Sequence, residues 1–103
     1  MLKRKVVCAD GFEMSVQAHH GAYCTPRVSG AERYTEVEVG FPSRKEPMLL
    51  EWAEEPATPT ESIYGYVPVS TVGLVIAKHG GMVSGEVPAG VPPLQALPKG
   101  WED

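Results

Sequence analysis

Asp10-Gly11-Phe12-Glu13-Met14-Ser15-Val16-Gln17-Ala18-His19-His20-Gly21-Ala22-Tyr23-Cys24-Thr25-Pro26-Arg27 runs from a turn through an alternating strand into a dense polar loop. Asp-Gly accepts the positive backbone angles of a tight turn. Beyond it Phe12, Met14, Val16 and Ala18 alternate with Glu13, Ser15 and Gln17, which assigns the two sets to opposite faces of a strand. Upstream, residues 3–9 carry Val6, Val7 and Cys8, so the segment reads as strand, turn, strand.

Downstream, residues 34–41 repeat the period: Thr35, Val37, Val39 and Phe41 oppose Tyr34, Glu36 and Glu38, and Gly40 and Pro42 mark the exit. These glutamates are expected to meet water, or Lys3 and Lys5 on a neighbouring strand. Ile63-Tyr64-Gly65-Tyr66-Val67 has the β-branched and aromatic content of a further strand, and Pro68, without an N–H, ends it. Pro68 at a first helical position, the apolar Val69, Val72, Val75 and Ile76, late Lys78 and His79, and Gly80-Gly81 as a stop predict a helix over 68–79. Residues 47–54, bounded by Pro47 and Pro56, fit a helical turn or a short strand equally, and 55–62 read as an exposed loop.

The expected architecture is therefore α+β: a single domain over residues 1–84, with a small antiparallel sheet of about four strands and one C-terminal helix packed on one face. Residues 85–103, rich in Pro and Gly, are expected to form an irregular tail whose Leu94, Leu97 and Trp101 can lie against the body or a partner.

Composition narrows the function. A chain of 103 residues suits one domain, and 11 glycines with 10 prolines favour turns over long helices. The net charge of −4 argues against a nucleic-acid partner, which normally needs a basic stripe to displace counterions. Charge is uneven, since residues 32–61 hold eight glutamates against Arg33, Arg44 and Lys45. No apolar run approaches the roughly 20 residues of a membrane helix, so no membrane partner is expected. Val6-Val7-Cys8 is too short for a signal peptide core, and a cytoplasmic chain with Cys8 and Cys24 reduced follows as the expectation.

The polar loop concentrates the candidate chemistry. Gln17, His19, His20, Tyr23, Cys24, Thr25 and Arg27 supply donors, acceptors and a stacking ring, as a pocket for an anionic small molecule or a nucleotide requires. The ordinary alternative is a hairpin-end loop whose polar groups meet water. Cys8, His19, His20 and Cys24 are suitable zinc ligands, but their spacing matches no finger pattern and no metal is assigned. Cys24 as a nucleophile activated by His19, His20 or His79 beside Arg27 lacks an evident oxyanion hole or orienting group. Trp52, Tyr64, Tyr66 and Trp101 are candidate interface anchors, with core packing as their alternative. No Gly-rich phosphate loop, dinucleotide fingerprint or His-Glu-x-x-His occurs, and no cofactor is expected. An edge strand in so small a sheet would invite pairing into a homodimer.

Asp10-Gly11-Phe12 with Met14-Ser15-Val16-Gln17-Ala18, Tyr23-Cys24-Thr25-Pro26-Arg27, Glu38-Val39-Gly40-Phe41-Pro42-Ser43, Tyr64-Gly65-Tyr66-Val67-Pro68 and His79-Gly80-Gly81 resemble a family of small uncharacterised proteins of bacteriophages and prophages. The resemblance spans roughly residues 6 to 81 and leaves out the tail. It implies an accessory viral protein acting in the host cytoplasm, without catalytic residues to carry over. Three functions are expected from this reading: binding a host macromolecule such as a defence component; binding or sequestering a small nucleotide-like ligand through residues 17–27; and cysteine-dependent catalysis at Cys24. The first is favoured.

Overall fold

The computed structural model describes residues 2–97. The opening hairpin joins β1 (Val6–Cys8) to β2 (Glu13–Gln17), antiparallel, with Val6 opposite Met14. Its turn is closed by Gly11 N–H to Cys8 O at 2.9 Å and by Cys8 N–H to Phe12 O at 2.8 Å. Asp10 adds a local clasp, its Oδ1 accepting the Phe12 N–H at 2.9 Å.

β3 (Glu36–Gly40) pairs with β2, and β4 (Ile63–Pro68) pairs with β3, both antiparallel. Val37 and Val39 are buried, as their alternation requires. Phe41 is not: the strand stops at Gly40, Phe41 takes φ +50°, and its ring is half-exposed. Thr35 is likewise exposed, so the inward set is two residues rather than four. The β3 glutamates stay partly exposed but do not meet Lys3 or Lys5, because β2 separates β3 from β1; Lys5 faces Glu13 at 4.0 Å instead.

A further strand, β5 (Met82–Ser84), pairs antiparallel with β1 and completes a five-stranded sheet in the order β4-β3-β2-β1-β5. α1 (Val69–Lys78) lies against it, burying Val72, Val75 and Ile76 with Met14, Val16, Val37, Val39 and Tyr64 in one core. Gly80, at φ +91° just past the His79 cap, ends the helix, and Gly81, at φ +90°, lets the later chain cross close by, since a Cβ there would lie 2.6 Å from the Ala96 nitrogen. Residues 47–54 resolve as a 3-10 turn, Pro47–Trp52, ended by Ala53, which bridges to Tyr64.

Both sheet edges carry caps. On β4, Glu54 N–H reaches Ile63 O at 2.9 Å beside the Ala53 bridge. On β5, Met82 N–H donates to Leu94 O at 2.7 Å, and Ala96 N–H donates to Met82 O at 2.9 Å. The segment after β5 thus crosses the body with irregular backbone, burying Val91 and setting Pro92 over Gly73. Edge pairing, the route considered for a homodimer, finds these positions already occupied.

Candidate protein-docking site

The connection between β2 and β3 is built on two small buried residues, Ala22 and Cys24. Cys24 is 2% exposed, and its thiol lies within reach of two acceptors for its one proton, His19 O at 3.3 Å and Pro26 O at 3.4 Å. Burying alternate residues turns Tyr23 and Thr25 outward over β3. There the β3 glutamates hold the loop: Glu38 Oε1 accepts the Tyr23 N–H at 3.0 Å, and Glu36 Oε1 accepts the Thr25 hydroxyl at 2.7 Å.

β4 meets this loop through an irregularity. Val67 pairs with Val37 and Tyr64 with Val39, so three steps on β4 oppose two on β3, as in a β-bulge. Strict alternation would have put Tyr64 and Tyr66 on the same face. The bulge instead buries Tyr64 and Val67 and turns Tyr66 out, 43% exposed and held at φ +56°. That backbone region costs a bulky residue roughly 1–3 kcal/mol and persists only where the surrounding structure over-determines it; such residues cluster at binding and active sites. Tyr66 N–H donates to Tyr23 O at 3.0 Å, fixing the two residues against each other.

The rings of Tyr23 and Tyr66 lie 5.8 Å apart at a tilt of 32°, and the Arg27 guanidinium sits 5.1 Å above the Tyr23 ring. The two tyrosines, with Trp52, Glu54 and Gly65, line an open recess of about 370 Å³. Gly65 allows a close approach: a Cβ there would stand a tight 3.2 Å from the Tyr23 Cβ. The Tyr23–Arg27 and Tyr64–Pro68 segments, far apart in sequence, therefore meet at this surface.

The remaining loop residues divide elsewhere. Gln17 is buried and clasps the N-terminal segment, its Nε2 donating to Lys3 O and its Oε1 accepting the Lys3 N–H, each at 2.9 Å. His20 Nδ1 lies 2.8 Å from Ser29 Oγ, and His19 Nδ1 accepts the Gly21 N–H at 3.0 Å. His19 and Gln17 border a separate polar recess of about 270 Å³ with Lys3 and Tyr34. The loop is thus not one pocket. Cys8 lies in β1, its thiol pushed up to about 11 by burial and by Asp10, and among the described residues no metal-binding group of His, Cys, Asp or Glu forms. No imidazole is hydrogen-bonded to Cys24, whose partners are both carbonyls. Of the expected interface aromatics, Tyr64 is a core residue, wholly buried with its hydroxyl donating to Pro59 O at 2.6 Å, and Trp101 lies outside the described residues.

A second polar cluster has no counterpart in the sequence reading. His79, at the C-cap of α1, stacks on Phe12 at 4.1 Å and 11°. Its Nδ1 is 2.6 Å from Asp10 Oδ2 and its Nε2 2.6 Å from Glu46 Oε1. Arg44 adds a 2.9 Å bond to Asp10, and Glu46 Oε2 accepts from both Lys78 and the Met48 N–H at 2.9 Å. Every buried polar side-chain atom described has a partner. The cluster ties hairpin turn, 3-10 cap and helix end together, and its polar groups are consumed in doing so.

Comparison of the chain with protein-family models, curated proteins and solved structures gave no match.

Proposed function

We propose that the chain is a non-enzymatic accessory protein, of phage or prophage type, that docks onto a host protein through the Tyr23, Trp52 and Tyr66 surface. The carrying observation is Tyr66: an aromatic side chain turned to solvent by a bulge, on left-handed backbone, against a second exposed tyrosine. Folding alone gains little from such an arrangement, whereas aromatic anchors beside an Arg are the side chains that dominate protein interfaces. The other two polar groupings, at His79 and Cys24, satisfy their own hydrogen bonds internally.

Co-purification from bacteria expressing the chain tests this. A partner retained by the native sequence is expected to be lost with Trp52→Ala and Tyr66→Gly, and retained with Leu74→Ser, an exposed change on α1. Equal recovery by all three variants would remove the docking surface from consideration.

A further inference from the structure

We propose that the recess between Tyr23, Trp52 and Tyr66 receives an arginine side chain of the partner protein. This rests on the docking reading above and adds the chemistry of what is docked.

The described residues lining the recess are three aromatics with Glu54 and Gly65, without an aliphatic side chain, and aromatic faces attract cations through their quadrupole. Among the described residues, the one charged residue lining the recess is Glu54, which is exposed and makes no ion pair with any of them. Glu51 and Glu55, both exposed, flank Trp52 and Glu54 in the chain, and Glu38 stands behind the Tyr23 amide. An apolar occupant would leave Glu54 desolvated without a partner, and an anionic one would be repelled; a cation satisfies ring and carboxylate together.

Guanidinium is favoured over ammonium by shape. Its planar face can stack on a tyrosine or tryptophan while its edge still forks to a carboxylate, and it sheds water more readily than a lysine ammonium. The molecule already uses this contact: Arg27 lies over the Tyr23 ring at 5.1 Å, outside the recess lining. At about 370 Å³ the recess has ample room for an arginine side-chain terminus.

The test is an amide chemical-shift titration of the full chain with N-acetyl-arginine amide, N-acetyl-lysine amide and N-acetyl-citrulline amide, the last a neutral isostere of arginine. Arginine is expected to saturate in the millimolar range with the largest shifts at Tyr23, Trp52, Gly65 and Tyr66, lysine to bind several-fold more weakly, and citrulline not to saturate. Glu54→Gln, an exposed substitution that leaves the fold intact, is expected to weaken arginine about fivefold to tenfold, in line with the loss of one charge-assisted contact near solvent. Citrulline binding as well as arginine, lysine binding more tightly, shifts centred elsewhere, or no saturable arginine binding would each overturn the assignment. These failures are distinct from failure of docking itself: a partner lost with Tyr66→Gly but indifferent to Glu54→Gln would leave the surface in place and remove only the guanidinium.

Discussion

His79 Nε2 and Glu46 Oε1 are 2.6 Å apart inside the protein, joining the end of α1 to the residue that caps the 3-10 turn. Glu46 is 1% exposed yet accepts from three separate donors, so its burial is compensated by contacts from three directions. Glu46→Ala would leave the buried His79 Nε2 without its partner, release Lys78 to solvent and uncap the turn. A loss of about 3–5 kcal/mol is expected, the usual cost of removing one member of a buried pair. Urea unfolding checks it, with an unchanged slope and a lower midpoint as the signature.

Acidification should reach the same cluster. His79 and the Phe12 amide, with Arg44, hold Asp10 below its ordinary value of 3.8. Burial pushes Glu46 up, but the Met48 N–H, Lys78 and His79 outweigh it and hold the carboxyl below its ordinary 4.5. With folded values under unfolded ones, the unfolded chain takes up these protons first. The stabilisation is therefore complete above the ordinary values and is lost as pH falls through the lower folded ones. Melting temperatures measured from neutral pH downward should fall in that window, and Glu46→Gln should flatten the decline.

Legibility in the sequence followed the range of the interaction. Met14 and Val16, Val37 and Val39, and the helix face of Val72, Val75 and Ile76 declare themselves by local period, and all are buried. β5 does not, because Met82-Val83-Ser84 becomes a strand only through its partner β1. The different fates of Tyr64 and Tyr66 are hidden for a similar reason: nothing in Ile63–Pro68 announces a bulge, which is set by the register with β3. The His79 cluster joins residues 33 and 69 positions apart, beyond any spacing rule. The polar loop was legible as unusual, but which of its residues face outward depended on Ala22 and Cys24 being buried.

Those thiols should be slow to react. Cys8 is buried with its thiol pushed up to about 11, and Cys24 is 2% exposed with its proton directed at carbonyls. Ellman's reagent is expected to label the native chain much more slowly than the urea-denatured chain, in which both cysteines react. Cys24→Ala should leave partner capture unchanged; its loss without a loss of stability would revive a chemical role for the thiol.

Tyr66→Gly separates stability from docking. Glycine removes the positive-φ penalty at φ +56° but gives up the contact with Tyr23 at 5.8 Å, two effects of opposite sign. The net change in unfolding free energy is expected to stay within roughly 1 kcal/mol of zero, while the docking surface loses its most exposed anchor. Tyr64→Ala two positions away should behave in the opposite manner, costing about 3–5 kcal/mol by leaving a core cavity. Parallel urea unfolding and co-purification of the two variants distinguish an interface tyrosine from a packing one. A large destabilisation by Tyr66→Gly would mean that the bulge serves the fold, and the functional reading of this surface would lose its main support.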